Sequence, residues 1–112
     1  MENAVILVTN YGMGNADAEL QLLLFRKYCE LLLQNASLPH AVCFYTNGVK
    51  LVCEGSPVLD KLKELESKGV PLIICSTCLG YFDLTGSVRV GIVGGMGDIL
   101  EAQSKAEKVI TI

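Results

Sequence analysis

Cys75 and Cys78 stand in "LIICSTCLGYFDL" (72–84), a C-x-x-C pair set directly after an apolar run. The run reads as a buried strand, and the residues after it as the first turn of a short helix. A thiol at such a junction meets unpaired N–H groups and the positive end of the helix. Both favour thiolate over thiol, so the expectation is a lowered pKa and a nucleophilic sulfur. A persulfide, or another terminal anion on that sulfur, would be favoured in the same way. Cys78 is the better placed of the two, being nearer the helical amides.

Other chemistries use the same residue types. A zinc site needs about four ligands, and this pair supplies two. The one histidine, His40, precedes the second expected strand and so falls at the opposite edge of the sheet. No metal and no cofactor is therefore expected. Thioredoxin-like dithiol chemistry also places C-x-x-C at a helix start. It expects the pair earlier in the chain, with antiparallel strands following. Two thiols that merely pack at a strand end, in a non-enzymatic oligomeric scaffold or small-anion-binding module, are a further alternative. Cys29 and Cys43 lie inside apolar periodic segments and read as small core hydrophobes. With Cys53 the count is five, an odd number without an export signal, which speaks for free thiols rather than a disulfide framework.

The elements that must hold the pair alternate in type. "AVILVTN" (4–10), "AVCFYTN" (41–47), "VPLIIC" (70–75), "VRVGIVG" (88–94) and "KVITI" (108–112) read as strands. Helices are expected over 17–35, from Ser56-Pro57 to Gly69, over 77–84 and from about 98 to 107. Ser56 reads as an N-cap and Pro57 as the first helical residue. "VKLVCEG" (49–55) fits neither period. Strands joined by helices imply a parallel five-stranded sheet with right-handed crossovers, a three-layer α/β/α fold in one domain, 1–112. The helix over 17–35 carries Leu20, Leu22, Leu23, Leu24, Phe25, Leu31, Leu32 and Leu33. That apolar face is wider than one sheet contact needs: either the helix is clamped between the sheet and a neighbouring helix, or, the reading favoured here, it forms a subunit interface in a homo-oligomer.

In an open parallel sheet, ligands bind beyond the carboxyl ends of the strands. Four loops qualify: 11–17, 47–55, 75–78 and 94–98. Glycines such as Gly48 and Gly95 let backbone amides approach a ligand there. Lys50, after the second strand, is either a solvated lysine or a candidate to reach the thiols and favour thiolate. "GMGNAD" lacks the third glycine of a dinucleotide fingerprint, and neither glycine loop is followed by the Gly-Lys-Ser/Thr of a phosphate loop.

Composition narrows the remaining classes. Net charge is −3, and Arg26 and Arg89 are the only arginines, so nucleic-acid binding has little electrostatic support. No apolar run approaches the ~18 residues of a membrane span, and "MENAVILVTN" lacks the basic region of a signal peptide. A cytoplasmic protein is expected.

The stretch "TNGVKLVCEGSPVLDKLKELESKGVPLIICSTCLGYFDL" resembles the DsrE/DsrF-like sulfur-relay family, and more narrowly the C-terminal domain of YedF-type proteins, which are associated with sulfur transfer or selenium metabolism. The similarity extends from the first strand to "AEKVITI". It implies an oligomeric α/β/α protein that passes sulfane sulfur, or selenium, between proteins as a cysteine persulfide. In relay members the active cysteine begins the helix after a central strand, and a glycine closes that helix. Cys78 and Gly86 match this layout, and Cys75 matches the first cysteine of the YedF-type pair. The resemblance also implies a TusA-like sulfur carrier, or another thiol protein, as partner. Fuller YedF-type chains carry a TusA-like domain of their own; these 112 residues hold no such segment. Two loops depart from the YedF pattern. "GNADAELQ" stands in place of a more acidic loop, and Gly95-Met96-Gly97 in place of Asn-Met-Tyr.

Overall fold

A computed structural model describes residues 3–35 and 37–112. Met1 and Glu2, part of the N-terminal stretch considered above, lie outside it. Five strands form one all-parallel sheet: β1 (Ala4–Val8), β2 (Ala41–Phe44), β3 (Leu72–Cys75), β4 (Ile92–Gly94) and β5 (Lys108–Thr111), in the order β4-β3-β2-β1-β5. The expected α/β architecture is therefore present. The apolar runs follow from this order. All of β1 and β2 are buried because neighbours flank them and helices cover them, whereas Ile92 and Val93 on edge strand β4 are largely exposed.

The chain crosses from β1 to β2, β3 and β4 in one direction and then returns to β5. Right-handed crossovers place α1 (Ala18–Gln34) and α2 (Leu59–Ser67) together on one face and α4 (Met96–Lys105) on the other. Phe25, Cys29 and Leu32 of α1 meet Leu62 and Leu65 of α2 over Ile6, Val8 and Val42 of the sheet. Arg26 of α1 pairs with Asp60 of α2 at 2.7 Å, so part of the polar stripe of α1 faces its neighbour helix. Leu20, Leu23, Leu24 and Leu31 are left facing outward.

Several boundaries differ from the sequence reading, three of them in ways that shape the site. Helix α2 starts at Leu59, because the Ser56 hydroxyl accepts the Val58 N–H in a turn that precedes the helix. It ends as expected: Gly69 has a left-handed φ of 89°, and the Val70 N–H returns to the Leu65 carbonyl. Strand β4 holds three residues rather than seven. Gly91, at φ 91°, breaks the run, its N–H held by the Glu66 carboxylate at 2.9 Å. Upstream, Val88 instead bridges antiparallel to Cys53. The ambiguous 49–55 stretch belongs mostly to a 3-10 helix, Thr46–Val52, whose Val49, Leu51 and Val52 are fully buried. Apolar residues spaced in that way follow neither a strand nor an α-helix period.

Candidate functional site

Cys75 is the last residue of central strand β3 and the N-cap of α3 (Ser76–Tyr81). Cys75 pairs with Gly94 on β4, and the preceding Ile74 pairs with Phe44 on β2, which leads into Thr46–Val52. Cys75 is buried, whereas Cys78, in α3, is only partly so. All five cysteines are free.

The donor aimed at Cys78 does not come from α3. The backbone N–H of Thr46 points at the Cys78 sulfur, 3.1 Å away. Thr46 has a left-handed backbone, φ 49°, which β-branched residues rarely adopt. Its Oγ1 lies 2.5 Å from the Thr9 carbonyl and 2.7 Å from that of Tyr45, and donation there pins the turn to the end of β1. Gly48 supports the same turn. It packs under the Val8 carbonyl so closely that a Cβ would overlap the carbonyl oxygen. Its own N–H goes to Tyr45 at 3.0 Å.

The lowered thiol pKa expected from the helix start is not what the structure shows. Burial pushes the Cys78 thiol up, the Thr46 N–H pulls it back down, and a side-chain hydrogen bond with Cys75 favours the protonated form. The physical reason is local. Helix α3 has only six residues, and the sulfur turns toward the 3-10 helix rather than over the amides of its own first turn. Nor does Gly86 close α3. The helix ends at Tyr81, and Gly86 sits in a separate 3-10 turn, Thr85–Ser87.

Lys50 stands one turn beyond Thr46 and Phe82 one turn beyond Cys78. The Lys50 ammonium lies 4.4 Å from the centre of the Phe82 ring. Thr46 on Cys78 and Lys50 on Phe82 are thus two rungs between the same pair of elements. Beyond them opens a groove of about 440 Å³ that Tyr11, Lys50, Glu54, Phe82 and Leu84 help to line. Gly95 follows the β4 residue paired with Cys75, and its N–H is held by the Asp98 carboxylate at 2.8 Å as α4 begins. The structure therefore groups Cys75 and Cys78 with the turn that Gly48 supports, and sets Gly95 at the end of the next strand. Lys50 rests on Phe82 rather than on the thiols. What acts on Cys78 is burial, Thr46 and Cys75, so the expected help to the thiolate does not come from the Lys50 charge.

Thr46, Phe82 and Tyr11 were not singled out from sequence. Helical spacing could have found Phe82, four residues after Cys78. Nothing in its type marks Thr46. Tyr11 is positioned by Gln21, a buried amide in α1 whose Nε2 donates to the Tyr11 carbonyl at 3.2 Å and whose Oε1 accepts the Ala16 N–H at 3.0 Å. Among the described residues, no three His, Cys, Asp or Glu side chains are grouped to hold a metal ion.

Residues 3–112, nearly the whole of this parallel-sheet chain, match the model of a known family. The chain belongs to the DsrE/DsrF-like family. Among solved structures of similar fold is the MTH1491 protein of Methanobacterium thermoautotrophicum, described as of unknown function. It shares 22% identity, covers 97% of each chain and superposes with a TM-score of 0.72. The ychN protein of E. coli shares 19% identity over 98% of this chain and 99% of its own, with a TM-score of 0.73. The BT1422 protein of Bacteroides thetaiotaomicron, a conserved protein of unknown function, shares 18% over 98% and 95%, with a TM-score of 0.64. At these identities the likeness concerns the fold. No curated protein matches the chain significantly. DsrE/DsrF-like membership suggests a role in sulfur relay, and members of the family generally work with sulfur-carrier proteins. No helix among the described residues of this DsrE/DsrF-like chain is long and apolar enough to cross a membrane.

Proposed function

We propose that this protein is a sulfurtransferase-like carrier that accepts sulfane sulfur on Cys78 as a persulfide and hands it to a second protein. The observation that carries this reading is the partly exposed Cys78 sulfur at the carboxyl end of the sheet, with the Thr46 N–H aimed at it and Cys75 beside it. In loading, the Cys78 thiolate attacks the outer sulfur of a donor persulfide. A new S–S bond forms on Cys78, the donor's S–S bond breaks, and the donor leaves as a thiolate. The Thr46 N–H stabilises the attacking anion, Gly48 lets the turn that carries it pack under the Val8 carbonyl, and Gly95 leaves open space at the end of β4 for a ligand. Onward transfer repeats the step with the acceptor thiolate attacking. A TusA-like carrier supplies or receives the sulfur, and selenium can take the same path.

The Cys75 contact supports a second exit. The Cys75 thiolate attacks Cys78, a Cys75–Cys78 disulfide forms, and hydrosulfide leaves. A thiol reductant then restores both thiols. Without bound sulfur the same pair would act as a dithiol redox couple, a reading that predicts disulfide formation without hydrosulfide release. Five free thiols suit the reducing cytoplasm. The outward Leu20, Leu23, Leu24 and Leu31 support a homo-oligomer joined through α1.

Native mass spectrometry after treatment with a persulfide donor tests the carrier and the assembly together. The expected result is a multi-subunit species gaining one sulfur per chain, and no gain on Cys78→Ser. Equal loading of wild type and Cys78→Ser, or none on wild type, would overturn the carrier reading. A monomer would overturn the assembly.

A further inference from the structure

We propose that the groove beyond Cys78 is the binding site for the sulfur donor's body, and that the donor is a low-molecular-weight persulfide bearing a carboxylate. The inference rests on Cys78 as the sulfur-accepting residue and names what brings the sulfur.

Charge, shape and distance point the same way. The groove's two ionic residues are unequal. Glu54 is committed to Arg89, whose Nε lies 2.5 Å from its carboxylate, and the Glu54 N–H is further tied to the Ser87 carbonyl at 2.8 Å. Lys50 is in none of the ion pairs formed among the described residues and rests on the face of Phe82. A cation held over an aromatic ring at the rim of a largely apolar groove leaves its remaining N–H donors for an incoming anion. Tyr11, Phe82 and Leu84 offer the walls for a short apolar body.

Helix geometry sets the reach. Phe82, the residue that follows α3, is four residues from Cys78, about 6 Å along the axis. Lys50 lies four residues from Thr46 along a 3-10 helix, about 8 Å. A ligand whose sulfur meets Cys78 while its anion meets Lys50 must span that interval, the size of an amino-acid or short-peptide thiol. At about 440 Å³ the groove is within the range of small-molecule sites. In the reaction, such a donor gives its outer sulfur to the Cys78 thiolate and departs as its own thiolate, now held only by Lys50 and the walls.

Two measurements test this. In the first, loading of Cys78 is followed by mass with glutathione persulfide and with the persulfide of 2-mercaptoethanol, whose body is uncharged. Loss of one charged hydrogen bond predicts that Lys50→Gln slows subsaturating loading from the glutathione donor by about ten-fold. The uncharged donor should be slowed much less, so that the preference for the glutathione donor over it falls by about that factor, and Lys50→Arg should retain the preference. In the second, S-methylglutathione, which cannot transfer sulfur, is titrated into Cys78→Ser under NMR observation. Saturable shifts at Lys50, Phe82 and Tyr11 are expected, and they should be lost in the Lys50→Gln background. Equal effects of Lys50→Gln on both donors, or no saturable shifts at the groove, would overturn the proposal. If wild type loads from neither donor, the carrier reading fails, and the titration still decides the groove by itself.

Discussion

Cys29 and Cys78 are the same functional group in two settings. Cys29 lies in α1 between Phe25 and Leu32, facing the sheet under α2, and burial raises its thiol from 9.0 to about 12. The charge of Arg26 opposes that rise and is overwhelmed by it. Cys78 sits at the end of the sheet where the helix layer opens. Burial raises it too, but a backbone N–H faces the sulfur and solvent reaches it. A cysteine's type and helical position do not separate the two. What separates them is a peptide group from another element, turned toward one sulfur by an uncommon backbone angle.

The widest gap should appear in native-state alkylation. Cys78 should react in the folded protein, whereas Cys29 must wait for α1 to open, a contrast of at least about a hundred-fold at neutral pH. The Cys78 rate should climb through an apparent pKa above that of an unperturbed thiol, the direction its burial sets. Peptide-resolved mass spectrometry reads both sites. Comparable rates, or a Cys78 profile already flat at neutral pH, would erase the distinction.

A smaller difference should appear in stability at alkaline pH. For Cys29 the folded pKa is raised, so the native state keeps its proton while the unfolded chain loses it. Its contribution is complete below about pH 9 and is lost as pH rises toward 12. The loss is on the order of a few kcal/mol. Urea midpoints should therefore fall over that window, and Cys29→Ala should fall less steeply, whatever its stability at pH 7. Cys43, buried in β2 and raised to about 11, adds to the slope in both proteins. An unchanged slope in Cys29→Ala would mean that the two cysteines differ less in environment than the packing implies.

Much of this contrast was legible in the sequence as placement. The run Leu72–Cys75 followed by Cys78 located both thiols at the carboxyl end of a central strand, because buried parallel strands read as continuous apolar stretches. The same rule overextended β4. Val88 and Val90 are apolar for another reason: they pack where the chain leaves Cys53, before Gly91 turns it into the sheet. The Thr46 turn was not legible. Left-handed backbone is ordinarily signalled by Gly or Asn, and Asn47-Gly48 follows directly, yet the positive φ falls on the threonine before them. Lys50 was legible only as a residue after the second strand, in a stretch that fits neither period; the 3-10 helix that carries it was not. The contact of Lys50 with Phe82 depends on how Thr46–Val52 docks against α3, which residue spacing within either segment does not fix.

The finest test separates the Thr46 amide from everything else around Cys78. The hydroxyl of Thr46 anchors the turn to the Thr9 carbonyl, while the N–H that faces sulfur belongs to the backbone. Thr46→Val keeps the volume and the branched Cβ but removes the anchor. The left-handed angle is then unsupported, the peptide relaxes, and the sulfur loses its donor. One net hydrogen bond is about 1 kcal/mol, so the Cys78 pKa should rise further by up to about one unit. Thr46→Ser keeps an anchoring hydroxyl and should titrate like wild type. Thr46→Gly removes the anchor and the steric objection together, so it tells whether the angle or the hydroxyl holds the amide in place. Cys29, beneath α1 with Phe25 and Leu32, should show the same alkylation rate in all three variants, because the turn does not reach its surroundings. If Thr46→Val left the Cys78 profile unmoved, the 3.1 Å contact would carry no charge stabilisation, and exposure alone would distinguish the two sulfurs.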